Sequence, residues 1–145
     1  MLLELVALLC TGLFAGAAIY VSLVEHPARV ECGPALALAE FGPSYRRGAA
    51  MQASLAVGGG LAAVAAWTQG SATAVLVAGL LLGAAVPFTL IVMLPTNKRL
   101  LDAGLDRASP EAAALLARWG RLHAVRSVVG GVAFLLLGLH HSGIL

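Results

Sequence analysis

The chain has 145 residues, of which 60% are hydrophobic and only 11% are charged. This composition is too apolar for a soluble domain of this size and is typical of an integral membrane protein. The formal net charge of +2 arises from few ionised groups, so it gives no reason to expect nucleic acid as a partner.

Four hydrophobic stretches are each long enough to cross a bilayer, which needs about 20 apolar residues per helix. The first carries Glu4 as its only early charge and lacks the basic start and cleavage site of a signal peptide. Residues 48–97 contain no ionised side chain, which predicts two spans joined by a tight turn. The predicted spans cover residues 3–25, 48–67, 72–94 and 110–140. We therefore predict one all-α domain over residues 1–145, a polytopic membrane four-helix bundle.

The segment between the first two spans is the least regular part of the chain. Pro27 is expected to end the first helix or tilt its last turn, because proline removes a backbone donor. Residues 34–41 predict a short interfacial helix in this first loop, and residues 42–47 predict a turn with basic anchors. Whether residues 30–44 close over a pocket as a lid stays open at this point.

The positive charges predict the orientation. All Lys and Arg residues lie within 29–47 or 98–126, which are the two loops on one side and their flanks. By the positive-inside rule, both termini face outwards and both long loops are cytoplasmic, as in a multi-pass protein of the bacterial inner-membrane type. The bilayer is thus the expected surrounding. Glycine pairs four residues apart, such as Gly12 with Gly16 and Gly79 with Gly83, permit close helix packing and leave a homo-oligomer possible.

One helix face near the start of the last span is polar. Trp119, His123 and Arg126 follow one another at spacings of four and three residues, so they share a face of the helix. An Arg well inside a membrane helix costs about 2.5–3.5 kcal/mol on insertion scales and is seldom found there without a partner or a function. Glu25 or a bound anion is the expected acceptor for Arg126.

Polar residues of the other three spans fall in the same membrane layer, and each also has a structural interpretation. His26 can simply lie in the headgroup region, and Tyr45 can be an interfacial anchor. Gln52 and Asn97 can join helices or cap one, and Trp119 alone fits an aromatic belt. Paired with Arg126, His123 favours a functional interpretation, because the cation needs a buried acceptor.

Two chemistries suit this layer, and the spacing does not choose between them. His26, His123 and Glu25 are the ligand types of an iron or copper site. Alternatively, without a metal, a neutral His takes a proton from a lipophilic substrate. Arg126, Asn97 and Gln52 then hold the resulting oxyanion.

Taken together, these residues resemble a known family. The set comprises Glu25-His26-Pro27, Phe41-x-x-x-Tyr45, Gln52, Pro95-Thr96-Asn97 and Trp119-x-x-x-His123-x-x-Arg126. It is similar to the anthrone oxygenase-like family of small four-helix membrane proteins, many of unassigned function. Characterised members of that family oxidise anthrones to anthraquinones with dioxygen, so the resemblance implies an oxygenase with dioxygen as co-substrate, without implying that particular substrate. It also implies a functional core of His26, Asn97, His123 and Arg126.

The sequence thus predicts an oxygenase or oxidoreductase acting on a lipophilic anthrone-, phenol- or quinone-like compound. His123 is the expected base and His26 a second base or ligand, while Arg126 and Asn97 stabilise the substrate anion. Tyr45, Gln52 and Trp119 are expected to bind the substrate. The cofactor is either absent or a single iron or copper ion. The alternatives are a non-catalytic membrane protein with Arg126 in a structural ion pair, or a small transporter.

Overall fold

A computed structural model describes all 145 residues, and its only regular secondary structure is helical. Four helices are long and apolar enough to cross a membrane: α1 (Leu2–Glu31), α2 (Pro34–Thr68), α3 (Thr73–Leu100) and α4 (Pro110–His141). The predicted all-α fold with four membrane-length helices is confirmed. The chain is a multi-pass membrane protein.

The four helices form an antiparallel bundle. Each helix packs against the next along the chain, and α4 packs back against α1, so that α1 lies diagonally opposite α3. The connections at 32–33 and 101–109 therefore lie at one end, which we call the basic end because the exposed Lys and Arg residues surround it. The turn at 69–72 and both termini lie at the other end. That the basic end faces the cytoplasm remains a prediction from charge.

The first helix, α1, continues through Pro27, which was expected to end it or tilt its last turn. The helix is α-helical over Leu2–Tyr20, π-helical over Val21–Glu25 and α-helical again over His26–Glu31. The N–H of His26 donates to the carbonyl of Val21, five residues back. Because a proline ring clashes with the carbonyl four residues before it, this wider turn lets the helix accept Pro27. The helix ends only where Gly33 adopts a φ of 85°.

The same arrangement recurs in α3. A π-helical segment, Thr89–Met93, precedes Pro95, and the N–H of Leu94 donates to the carbonyl of Thr89. The helix consequently continues to Leu100, beyond the predicted end at residue 94. Both π-helical segments lie towards the basic end of the bundle. Short π-helical segments inside α-helices are frequent at functional sites.

The predicted interfacial helix and the turn after it are wrong as separate elements. Residues 34–41 and 42–47 belong to one helix that continues through the second span, with Pro43 inside it. Ala37, Leu38 and Phe41 are buried, in an apolar cluster that includes residues of α4. Tertiary packing thus stabilises helix where the sequence suggested a turn. Residues 34–44 are the first turns of α2 and are therefore not a loop that could close over the cavity as a lid.

The predicted start of α4 is confirmed. Ser109 is the N-cap, and its Oγ accepts a hydrogen bond from the N–H of Ala112 at 3.1 Å. In the preceding loop, Asp102 accepts bonds from the N–H of Gly104 at 2.9 Å and from Arg99 at 2.6 Å. These two donors lower the pKa of Asp102 below its usual value.

The buried apolar residues form two clusters along the bundle axis. The larger, in the half of the bundle away from the basic end, is rich in alanine and includes Phe14, Leu82 and Leu137. The smaller, at the basic end, includes Phe41, Leu116 and Trp119. The buried polar residues Gln52 and His123 occupy positions between them.

Close approach of α1, α2 and α3 in the larger cluster depends on glycine. A Cβ atom at Gly59 would lie 2.6 Å from Cδ2 of Leu82 and 2.7 Å from Cβ of Cys10. The neighbouring Gly58 faces open space, with nothing within 4 Å of the same atom. The two adjacent glycines therefore differ only in whether another helix is near.

This difference yields a test of the packing. Gly59→Ala should lower the free energy of unfolding by about 1–3 kcal/mol, because overpacking forces neighbouring helices apart. Gly58→Ala should leave stability unchanged or raise it slightly, since alanine favours helix. Thermal unfolding of the two purified variants in one detergent measures the contrast. Equal stability of both would contradict the described contact between the helices.

Candidate functional site

A cavity of about 190 Å³ lies between the two apolar clusters and is lined by residues of all four helices. Its polar lining residues are Glu25 and Arg29 from α1, Ser44, Tyr45 and Gln52 from α2, Thr89 from α3, and Trp119, His123 and Arg126 from α4. Its apolar lining is mostly small, with Ala49, Ala53 and Ala56 of α2 facing Ala85 and Val86 of α3. The side chains from α4 that line the cavity are all polar or aromatic, whereas α2 and α3 contribute both polar groups and a run of small apolar residues.

Trp119 is the centre of an aromatic group at the basic end of the cavity. Its ring centroid lies 4.7 Å from that of His123, with the planes at 22°, and 5.0 Å from that of His26, at 47°. Phe41 meets the indole edge-on at 5.3 Å and 90°. Only 5% of Trp119 is exposed. The alternative interpretation of Trp119 as an aromatic-belt residue is therefore wrong, and the indole lies between the two imidazoles at the cavity.

Hydrogen bonds fix the indole and a neighbouring phenol. Nε1 of Trp119 donates to Oδ1 of Asn97 at 2.9 Å, and Nδ2 of Asn97 donates to the hydroxyl oxygen of Tyr45 at 3.2 Å. Because the Tyr45 hydroxyl accepts this bond, its own proton is free for another acceptor. Asn97 itself does not line the cavity. Its amide orients Trp119 and Tyr45, whereas the sequence had suggested direct contact with a substrate anion.

His26 also lies outside the cavity lining. It is 8% exposed, and its ring packs against α4 where that helix has Gly120. A Cβ atom at position 120 would lie 2.6 Å from Nε2 of His26, so this approach requires glycine. Nδ1 of His26 is buried without a hydrogen-bond partner. The sequence grouped His26 with His123, but the indole of Trp119 lies between them.

His123 lines the cavity with one ring nitrogen already engaged. Nδ1 lies 3.1 Å from Oγ of Ser22 on α1. The ring makes no hydrogen bond within the chain through Nε2, although His123 is only 3% exposed. An imidazole held at one nitrogen and free at the other has the arrangement of a general acid or base.

Arg126 does not pair with Glu25, so Glu25 as its acceptor was wrong, whereas a bound anion stays a prediction. Its NH2 group donates to Oε1 of Gln52 at 2.7 Å, and its Cζ lies 5.4 Å from the centroid of Phe14. Its Nε is buried without a partner, and no carboxylate lies within 4.0 Å of its guanidinium. A neutral amide and an aromatic face compensate a buried cation only partly. The Arg126 guanidinium is therefore available to an anion in the cavity.

The buried ion pair is made instead by Arg29, which sequence reasoning missed. Its guanidinium pairs with Glu25 one turn earlier and lies 2.7 Å from Oε2 of Glu40. Ser44 donates to the same Glu25 oxygen at 2.7 Å. The available signal was the spacing of four residues between Glu25 and Arg29, which is typical of a helical ion pair. Because Pro27 lies between the two residues and suggests a helix end, the sequence does not predict this pair.

The three candidate metal ligands do not converge. Trp119 separates His26 from His123, and Glu25 is held by Arg29 and Ser44. No group of three His, Cys, Asp or Glu side chains is placed to hold a metal ion. The residues present therefore do not fit a 2-His-1-carboxylate site.

The exposed residues among those that line the cavity indicate an opening between α2 and α3. Among its lining residues, Ala53 of α2 and Leu90 of α3 are exposed, and Leu90 is 59% exposed. Both belong to membrane-length helices. The opening therefore faces the apolar surroundings of the bundle rather than either end.

The bond between Trp119 and Asn97 can be tested directly. Trp119→Phe keeps an aromatic ring but removes the donor, which leaves Oδ1 of a buried amide without its partner. We expect the free energy of unfolding to fall by about 1–3 kcal/mol. Trp67→Phe is the matched control, because Trp67 is 43% exposed at the other end of the bundle. Equal effects of the two substitutions on thermal unfolding would contradict the described bond.

Comparison with known proteins supplies a family. No curated protein and no solved structure matches the chain. A family model described as anthrone oxygenase matches residues 41–136, which is more than half of the chain. The matched range includes Tyr45, Gln52, Asn97, Trp119, His123 and Arg126, whereas His26 and Arg29 precede it. This four-helix membrane protein belongs to the anthrone oxygenase family.

Proposed function

We propose that the protein is a membrane-embedded oxygenase that oxidises a lipophilic anthrone-, phenol- or quinone-like compound within the central cavity. Membership of the anthrone oxygenase family supports an oxygenase-like role. The substrate class is inferred from the cavity, which combines an apolar wall with a few polar groups.

One observation carries this proposal. His123 makes its one ring hydrogen bond through Nδ1, which leaves Nε2 free, and Arg126, one turn along the same helix, has no carboxylate partner. Both side chains line the same cavity. A base beside an uncompensated cation favours a ligand that loses a proton and becomes an anion on binding.

For an anthrone, the chemistry follows from these two groups. Nε2 of His123 takes a proton from the methylene carbon, and the electron pair moves to the carbonyl oxygen to give an enolate. The Arg126 guanidinium and the free Tyr45 proton stabilise that oxygen. The enolate carbon then donates electrons to dioxygen, a carbon–oxygen bond forms, and protonated His123 returns its proton to the distal oxygen of the peroxide.

The hydroperoxide completes the reaction without an added reductant. His123 removes the second hydrogen of the former methylene as a proton, the oxygen–oxygen bond breaks, and the electron pair of the carbon–hydrogen bond forms a new carbonyl. The leaving hydroxide takes the proton from His123 as water. The methylene becomes a carbonyl, one oxygen atom of dioxygen enters the product and the other becomes water. The substrate supplies all the electrons, so no step requires a metal.

The other residues of the cavity have supporting roles in this proposal. Gln52 holds the guanidinium of Arg126 in place, and Asn97 orients the hydroxyl of Tyr45. The ion pair of Arg29 with Glu25 closes the cavity towards the basic end and leaves Arg126 as the cation for the substrate. The non-catalytic alternative required Arg126 to make a structural ion pair. Because Arg29 makes that pair with Glu25, we favour a substrate-binding role for Arg126.

The role of His123 can be tested by oxygen uptake with an anthrone. His123→Ala should lower the turnover rate by about 10²-fold or more, because it removes the general base. His141→Ala is the control, since His141 is exposed near the end of the bundle opposite the basic end. Both variants should be purified in amounts comparable with the wild type. Normal oxygen uptake by His123→Ala would refute the assignment.

The opening between α2 and α3 makes a second prediction. Ala53→Phe should narrow the route from the bilayer to the cavity and lower kcat/KM for a lipophilic substrate, with no loss of thermal stability. Ala50→Phe is the matched control, because Ala50 is exposed on the same helix but does not line the cavity. If both variants oxidise the substrate as the wild type does, the substrate reaches the cavity by another route.

A further inference from the structure

We propose that Ser22 and Ser127 are positioning residues that hold neutral His123 in the tautomer with its proton on Nδ1. In that tautomer the lone pair of Nε2 faces the cavity and can accept a proton. The tautomer itself is a property of the resting protein. Only its effect on catalysis rests on the proposed function.

Three short contacts connect His123 to the backbone of α1. Nδ1 of His123 lies 3.1 Å from Oγ of Ser22, which lies 2.7 Å from Oγ of Ser127. Oγ of Ser127 lies 2.8 Å from the carbonyl oxygen of Ala18. Ser127 and Ala18 are buried, at 7% and 0% exposed. The contacts therefore form a chain that begins at the imidazole and ends at a backbone carbonyl.

The carbonyl at the end of this chain determines the direction of every bond. A carbonyl oxygen can only accept. The single proton of Ser127 therefore points to the carbonyl of Ala18 at 2.8 Å, in preference to the more distant carbonyl of His123 at 3.4 Å. Ser127 must then accept from Ser22, because it has no second proton to donate. Ser22 has now donated its only proton, so it can only accept from Nδ1–H of His123. This is the one assignment in which all three contacts contain a proton.

The opposite assignment leaves two acceptors facing each other. If Ser22 donated to Nδ1, Ser127 would have to donate to Ser22. The oxygens of Ser127 and Ala18 would then lie 2.8 Å apart in a buried place with no proton between them. Although the Ala18 carbonyl also accepts from the backbone N–H of Val21, two buried oxygens this close without a proton between them repel each other. The structure therefore disfavours the Nε2–H tautomer.

The fold places both serines by local features of the sequence. Ser22 lies in the π-helical segment Val21–Glu25, which precedes Pro27, so the wider turn that accepts the proline also sets the direction of Ser22. Ser127 lies four residues after His123, on the same face of α4. The two serines thus join α1 to α4 beside the base.

The tautomer decides whether His123 can act at all. With the proton on Nε2, the nitrogen towards the cavity is a donor and has no lone pair for a substrate proton. With the proton on Nδ1, the same nitrogen is a base. Ser22 and Ser127 touch neither the substrate nor the reacting atoms, and they act through His123 alone.

Nitrogen-15 NMR of the wild-type protein, labelled at histidine and held in detergent micelles, is the test. The His123 signals are assigned by their loss in His123→Ala. We expect one-bond coupling to a proton at Nδ1 and none at Nε2. Coupling at Nε2 instead would overturn the proposal, whatever the activity of the protein.

Variants of the serines supply the second readout. Ser127→Ala removes the acceptor for the Ser22 proton, so Ser22 becomes free to donate to Nδ1 and the Nε2–H tautomer should appear. The value of kcat should fall by up to about 10²-fold, with KM nearly unchanged. Ser127→Thr keeps the hydroxyl and should restore both the Nδ1–H signal and kcat. Ser54→Ala is the control, because Ser54 is exposed and bonds only within its own helix.

The outcomes separate this inference from the proposed function. An unchanged Nδ1–H signal in Ser127→Ala would overturn the role of the serines, even if turnover fell. The positioning role would be supported if the wild type shows the Nδ1–H signal and Ser127→Ala loses it. Normal turnover by His123→Ala would refute His123 as the base without affecting that conclusion.

Discussion

A guanidinium group without a carboxylate partner, held inside an apolar bundle, is the constraint on which the rest of this structure depends. Arg126 has the amide oxygen of Gln52 and the ring of Phe14 beside it, and no carboxylate. A charge in such surroundings is unfavourable unless something else compensates it. The cavity in front of Arg126 gives an anion room to bind, and His123 can create that anion from a neutral compound that dissolves in lipid.

The polar layer around the cavity depends on the two π-helical segments of α1 and α3. Both π-helical segments precede prolines, and both contribute residues to the cavity. Each keeps its helix continuous past a residue that would otherwise break it, so helical side chains surround the cavity at its basic end. Ser22 lies in one segment and Thr89 in the other. A regular α-helix through these prolines would direct the side chains before them differently.

Periodicity in the sequence predicted the four helices and the shared face of Trp119, His123 and Arg126, because a helical repeat depends on local spacing alone. It did not predict which partner each side chain meets. Glu25 or a bound anion was the expected acceptor for Arg126, but Arg29 is closer along α1 and takes the Glu25 carboxylate. Pro27 and Pro43 suggested chain breaks, whereas tertiary packing and a π-helical turn keep the helices intact.

The roles of Asn97, Ser22 and Ser127 depend on contacts between helices that no spacing within one helix reveals.

The measurement that tests the central claim most directly is an anaerobic absorption titration of an anthrone with the purified protein. Without dioxygen the reaction stops after proton transfer. At a pH where the free compound is neutral, the account predicts that the absorbance of its enolate appears on binding to the wild type and is absent with His123→Ala. A bound ligand that stays neutral in a wild-type protein able to consume oxygen would contradict it.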